Sequence, residues 1–122
     1  MTLELEELTG KIISCAIEVH KKLGPGFLES IYQIALPMEL VKQKLKVETQ
    51  KVIKICYDGK EIGMHRLDLV VEGQIIVELK TVKDFDDSYT AQLISYLKAS
   101  GLKVGLLLNF AKAVLKIKRV VN

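Results

Sequence analysis

Apolar residues recur at helical spacing in the first third of the chain and at every second position beyond it. The segment from about Leu5 to Leu23 sets Ile13, Ile17 and His20 on one helical stripe, with Lys21 and Lys22 in the last turn. Gly24 supplies a stop, and Pro25-Gly26 makes the break firm. A second helix is predicted from about Leu28 to Lys44, with Leu28, Ile31, Ala35 and Leu36 as its apolar side. Pro37 falls in its middle. An interior proline removes a backbone hydrogen bond at a cost of about 3 kcal/mol, so a kink or break is expected there.

From Val47 the period shortens to two. Val47 to Tyr57, Glu61 to Val71 and Gln74 to Val82 read as an antiparallel meander with turns at Asp58-Gly59 and Glu72-Gly73. Ser88 reads as the N-cap of a third helix, which closes at Gly101. Val104 to Phe110 is a continuous apolar run, typical of a strand buried on both faces. Strand, helix and buried strand imply a βαβ crossover that places this run parallel to the Gln74–Val82 strand. A last strand from about Val114 to Val121 carries Lys116 and Lys118, which suit an edge. The expected fold is a mixed α/β (α+β) domain with a mixed sheet flanked by helices, in the order α-α-β-β-β-α-β-β. At 122 residues the chain forms one domain with a single core.

Charge on the third strand changes the picture. In Ile75-Ile-Val-Glu-Leu-Lys80, Glu78 and Lys80 project from one face of an otherwise apolar strand. An isolated pair of this kind is usually an ion pair at a sheet edge, but buried charges require each other, a metal ion or water. Asp68 on the preceding strand decides between these readings, because residues opposed across a hairpin share a face. A two-residue turn at Glu72-Gly73 would send Asp68 and Glu78 to opposite faces. A three-residue turn ending with Gly73 in the left-handed conformation would bring Asp68, Ile76, Glu78 and Lys80 together. A common site requires the odd-length turn.

Carboxylates on neighbouring strands suit a hard cation, Mg²⁺ or Mn²⁺, with Asp68, Glu78 and the Leu79 carbonyl as protein ligands. Such an ion polarises a phosphate and acidifies water, and Lys80 would position or deprotonate the attacking water and offset charge on phosphorus. Glu29 begins the second helix, where the helix dipole favours a carboxylate in any case. Tyr32 lies one turn on. Gln92 and Tyr96, four apart on the third helix, face one way. If that face overlooks the acids, Gln92 orients water or phosphate and Tyr96 touches a sugar or base. His20 reads first as a hydrogen-bonded core histidine, and second as a contact to Glu29 near the substrate.

Composition narrows the alternatives. Hydrophobic residues make up 49% of the chain and charged residues 27%, which describes a globular domain. The net charge of +3 permits a nucleic-acid partner without demanding one. No apolar run is long enough to span a membrane, and the opening Met1-Thr-Leu-Glu-Leu-Glu-Glu is acidic where a signal peptide is basic. Cys15 and Cys56 read as reduced thiols in a cytoplasmic protein. Lys42, Lys44 and Lys46 read as solvated surface, as does His65, and Asp84, Asp86 and Asp87 as helix-start charge. Signatures for nucleotide hydrolysis, zinc proteolysis, serine hydrolysis and dithiol redox chemistry are lacking.

The run Val19-His-Lys-Lys-Leu-Gly-Pro-Gly-Phe-Leu-Glu-Ser-Ile-Tyr32 resembles the signature of the GxxExxY family, a branch of the PD-(D/E)XK nuclease superfamily. The resemblance continues through Arg66–Glu72, Ile76–Lys80, Ala91–Lys98 and Gly105–Phe110, and so covers nearly the whole chain. It implies a restriction-endonuclease-like αβββαβ core and, in active members, Mg²⁺-dependent phosphodiester cleavage. Asp68, Glu78 and Lys80 match the catalytic motif, Glu29 the N-terminal helical acid, and Gln92 and Tyr96 the third-helix motif. The catalytic candidates are thus Glu29, Asp68, Glu78, Lys80 and Gln92, and the substrate-contact candidates Tyr32, Tyr96 and His20. The expected protein is a DNA nuclease, paired as a homodimer because one small site cuts one strand. The rival expectation is a catalytically silent module that keeps the fold and binds nucleic acid or a protein.

Overall fold

The computed structural model describes residues 3–122, with side chains from Leu5 onward. Met1 and Thr2, part of the acidic opening stretch, lie outside the described residues. The elements are α1 (Leu3–Leu23), α2 (Glu29–Lys42), β1 (Val47–Tyr57), β2 (Lys60–Val71), β3 (Ile75–Lys80), α3 (Asp87–Ser100), β4 (Val104–Asn109) and β5 (Lys116–Val121). The strands form one sheet in the order β1-β2-β3-β4-β5. β3 and β4 are parallel, and the other neighbours are antiparallel. The expected element order and crossover are both present.

The helices cover the sheet from both sides, which is why β3 and β4 read as unbroken apolar runs. α1 and α2 pack Leu8, Ile12, Val19, Tyr32 and Leu36 onto Leu69, Val71, Val77, Leu106 and Phe110. On the opposite face α3 packs Leu93, Tyr96 and Leu97 onto Leu67, Val70, Ile76 and Leu107. α3 approaches the sheet most closely at Gly105, where an added Cβ would lie 2.8 Å from Leu93.

Several local expectations need correction. α2 runs through Pro37 without a break. Its buried stripe is Tyr32, Leu36 and Leu40, whereas Leu28 and Ile31 are exposed. Apolar residues surround this helix, so periodicity alone did not select the face that turns inward. The tight packing of Leu36 and Leu40 on either side of Pro37 supplies the tertiary support that the missing bond demands. The N-cap of α3 is Asp86, not Ser88: its carboxylate accepts from the Ser88 backbone N–H at 3.2 Å and bonds the Ser88 hydroxyl. Asp86 and Asp87 thus supply the helix-start charge expected of the acidic loop, and Asp84 pairs with Lys112 at 2.9 Å. Cys15 is buried and Cys56 exposed, and both are free thiols.

The β2–β3 turn is odd-length, as a shared face for the acids requires. It comprises Glu72, Gly73 and Gln74, one residue later than expected, and pairs Val71 with Ile75 and Val70 with Ile76. Glu72 and Gly73 both take the left-handed conformation, at φ 54° and 63°. The same register continued by two residues sets Asp68 opposite Glu78. One further irregularity was not legible in the sequence. Leu67 and Leu69 join opposite cores, so the alternation of β2 breaks at Asp68. Facing that break, Gln50 of β1 has φ 51° and interrupts the β1–β2 ladder.

Filling the closest helix–sheet approach tests this packing. Gly105→Ala is expected to destabilise the protein by about 1–3 kcal/mol through overpacking against Leu93. Gly63→Ala, where a Cβ meets open space, is expected to be near neutral. Urea denaturation of the two variants measures the difference.

Candidate active site

The candidate site forms where the β2–β3 ladder ends. The last paired residues are Leu69 and Val77, and beyond them side chains take over the backbone bonding. The Asp68 backbone N–H donates to Glu78 Oε2 at 2.8 Å, and the Leu79 backbone N–H donates to Asp68 Oδ2 at 2.9 Å. Each carboxylate is therefore held through one oxygen by the opposite strand. Its second oxygen is not fixed by a backbone bond.

Lys80 ends β3 beside them. The Phe110 N–H donates to the Lys80 carbonyl at 2.9 Å, which holds the Lys80 backbone against the end of β4. Just beyond, the buried Asn109 side chain bonds both the N–H and the C=O of Val82. The Lys80 ammonium lies 4.8 Å from the centre of the Tyr89 ring, a cation–π distance that ties it to the first turn of α3.

Glu29 reaches the same place from α2. Its carboxylate accepts from Gln33 Nε2 at 3.2 Å and from the backbone N–H of Thr81. Gln33 also hydrogen-bonds the Asp68 carboxylate and so links Glu29 to the sheet acids. Gln33 is the residue the sequence reading missed. Its signal was the i, i+4 spacing from Glu29, which places both side chains on one helix face.

Tyr32 and His20 are placed differently from their expected substrate contacts. Tyr32 is fully buried, its hydroxyl donates to the Gly24 carbonyl at 2.6 Å and accepts from Phe27 N–H at 3.3 Å, and its ring stacks on Phe110 at 4.5 Å. Both hydroxyl functions are spent on the turn that precedes α2. Gly26 takes φ 106° in that turn, a conformation that side chains disfavour. The Gly26, Glu29 and Tyr32 spacing therefore has a physical meaning: the glycine makes the turn, the tyrosine clamps it, and the glutamate is aimed at the site. His20 is a buried core histidine whose Nε2 bonds the Lys112 carbonyl at 2.8 Å and whose ring lies against Phe110. These contacts are with the β4–β5 connection, not with Glu29.

On the other side of the acids, Tyr96 is buried and packs on His65 of β2 with ring centres 4.5 Å apart. Gln92, one turn earlier, is exposed, and among the described residues no hydrogen bond fixes its amide.

Electrostatics separate this site from an ordinary ion-pair network. Burial, followed by the Asp68 charge, pushes Glu78 up to about 8, and Lys80 offsets only part of the shift. Burial raises Asp68 as well, against the hydrogen bond from Leu79 and the charge of Lys80. Glu29 is raised by burial and then by Asp68. Tyr96 is raised by burial and by the charges of Glu78 and Asp68. One ammonium does not neutralise three crowded carboxylates, and a divalent cation would relieve that repulsion.

The comparisons agree with this geometry. A family model of the PD-(D/E)XK nuclease superfamily matches residues 6–120. The chain belongs to that superfamily. A solved structure titled "Crystal structure of SSO0001" superposes on this PD-(D/E)XK protein with a TM-score of 0.63 at 20% identity. The match covers 76% of this chain and 49% of the other, so the chain spans about half the length of that structure. At that identity the likeness bears on the fold alone. No curated protein matches the chain.

Superfamily membership implies a divalent metal, and the donor set fits one that retains water. Among the described residues no three His, Cys, Asp or Glu side chains gather into a closed metal cage. Mg²⁺ commonly takes only one or two carboxylates and keeps several waters, which matches an Asp68–Glu78 pair. The Leu79 carbonyl stays a third candidate ligand, carried on the same strand end.

The raised Glu78 predicts how the metal-free protein responds to pH. Its carboxyl keeps a proton in the folded state up to about pH 8, while its ordinary value is 4.5. Between these limits the folded state binds more protons than the unfolded, so stability falls as pH rises. Thermal melts in EDTA should show Tm decreasing from pH 5 to pH 8. Glu78→Gln, which keeps an acceptor for the Asp68 N–H, should flatten that slope and melt higher at pH 8.

Proposed function

We propose that this PD-(D/E)XK protein is a Mg²⁺- or Mn²⁺-dependent nuclease that hydrolyses phosphodiester bonds in DNA, acting as a homodimer in the cytoplasm. We place it in the GxxExxY branch on the Gly26, Glu29 and Tyr32 spacing. One observation carries the reading: Asp68 and Glu78, each held through one carboxylate oxygen by the other's strand, stand beside Lys80. Structural ion pairs are arranged to cancel charge, whereas this cluster gathers three carboxyl groups around one lysine, and burial raises the proton affinity of each.

Asp68 and Glu78 would hold the ion, with the Leu79 carbonyl as a further ligand. When bound, the ion supplies Lewis-acid polarisation of the phosphate and a more acidic water. Lys80 holds its ammonium beside the acids, where charge builds up on phosphorus, and stabilises it there. Glu29, with a carboxyl raised by burial and then by Asp68, accepts or orients a proton of the attacking water. Gln33 positions Glu29 relative to Asp68. Tyr96 with His65 offers a ring surface against a sugar or base, and the exposed Gln92 reaches a phosphate or water from α3. Free thiols at Cys15 and Cys56 fit a reducing compartment, and no described helix is long and apolar enough to cross a membrane.

Incubation with single-stranded, duplex and branched DNA, and with RNA, in Mg²⁺, Mn²⁺ or EDTA tests the reading. Metal-dependent cleavage of DNA is expected, lowered at least about a hundredfold in Asp68→Ala and in Lys80→Ala. Cleavage that persists in EDTA or in both variants would contradict it. Binding without cleavage in any metal would favour the silent module instead.

A further inference from the structure

α2 presents three faces, and two of them are accounted for. Tyr32, Leu36 and Leu40 enter the core, and Glu29 and Gln33 turn to the site. The third face is apolar and open: Ile34 is 65%, Met38 63% and Val41 61% exposed, and Ile31 39%. Phe27 and Leu28 extend the stripe through the turn before the helix, at 48% and 76%. A helix that is apolar on its outer as well as its inner face is a helix that something covers.

Spacing and charge say what covers it. Ile31, Ile34, Met38 and Val41 alternate in steps of three and four, the period of a seam that packs against another helix, and Phe27 and Leu28 adjoin it from the preceding turn. The charges along α2 are committed elsewhere: Glu29 to Gln33 and the site, and Glu39 to Lys22 and Lys42 at 3.2 Å each. A seam without charge offers nothing to phosphates and matches the charge-poor centre of a protein interface. The stripe is also close to its own mirror in sequence. Run antiparallel with the centre between Ile34 and Ala35, Ile31 of one copy meets Met38 of the other and the two Ile34 side chains lie beside the axis, as a two-fold contact requires. The exposed fractions of these six residues amount to roughly 600 Å² per copy, so a pair buries roughly 1,200 Å², the lower bound of stable specific interfaces.

We infer that the outer face of α2 is a two-fold interface at which a second copy of this chain docks, helix against antiparallel helix. The pairing stands on the helix surface and is independent of nuclease activity. Because Glu29 and Gln33 lie on the same helix, pairing also ties together the two candidate sites that a duplex cut would use.

Sedimentation velocity or light scattering at about 10–100 μM is expected to give twice the 13.7 kDa chain mass. Ile34→Glu combined with Met38→Glu is expected to halve that mass with the far-UV circular dichroism unchanged. A second variant covers the case in which two acids impair folding. Ile34→Cys in a Cys56→Ser background should form a disulfide-linked dimer within minutes of mild oxidation, whereas Lys60→Cys in that background should not. A wild-type protein monomeric throughout this range overturns the inference. So does a folded double-glutamate variant that stays dimeric, or cross-linking no faster at position 34 than at position 60.

Discussion

The reciprocal bonding of Asp68 and Glu78 is the constraint on which the rest of the site depends. Where β2 and β3 stop exchanging backbone bonds, the glutamate takes the aspartate's N–H and the aspartate takes the N–H of Leu79. Two carboxylates are thereby fixed at the mouth of the sheet at the expense of ordinary strand pairing. The alternation break at Asp68, the left-handed Gln50 opposite it and the odd-length turn at Glu72-Gly73-Gln74 all serve that placement. Burial first, and the neighbouring Asp68 charge second, push the Glu78 carboxyl up to about 8. Perturbed carboxyl groups clustered in this way mark a functional-site candidate.

α2 is the second organising element, and its three faces explain why it tolerates Pro37. The inward residues anchor it, Gln33 and Glu29 join it to the sheet acids, and Tyr32 clamps the turn that sets its starting point. Proline at position 37 deletes the N–H that would bond the carbonyl of Gln33, in the turn that also carries the bridging amide. Packing therefore holds the helix where propensity alone would not.

Much of this was legible in the sequence, and what escaped has identifiable causes. Element order, the meander, the parallel crossover and the edge position of β5 followed from period and turn residues. The company of Asp68 and Glu78 followed from turn parity, although the turn lies one residue later than its glycine suggested. Periodicity failed on α2 because that helix carries two apolar stripes, and spacing alone could not tell the core stripe from the exposed one. Tyr32 looked like a binding residue because it lies one turn from Glu29, whereas His20 holds the hydrogen-bonded core place expected of it first. Their partners, the carbonyls of Gly24 and Lys112, are backbone groups that no sequence pattern announces. Tyr89 and His65 gain their roles from long-range neighbours and could be named only once the elements had been assembled, whereas Gln33 had its spacing from Glu29 as a signal.

Calorimetric titration of Mn²⁺ at pH 7, repeated in two buffers of different ionisation enthalpy, tests the central claim most directly. A cation held by Asp68 and Glu78 must displace the proton that Glu78 carries at that pH. The heats should therefore differ between buffers by an amount that corresponds to release of up to about one proton per ion. Asp68→Asn should abolish the signal. Binding heats identical in both buffers, or unchanged in Asp68→Asn, would show that the ion, if it binds, binds elsewhere.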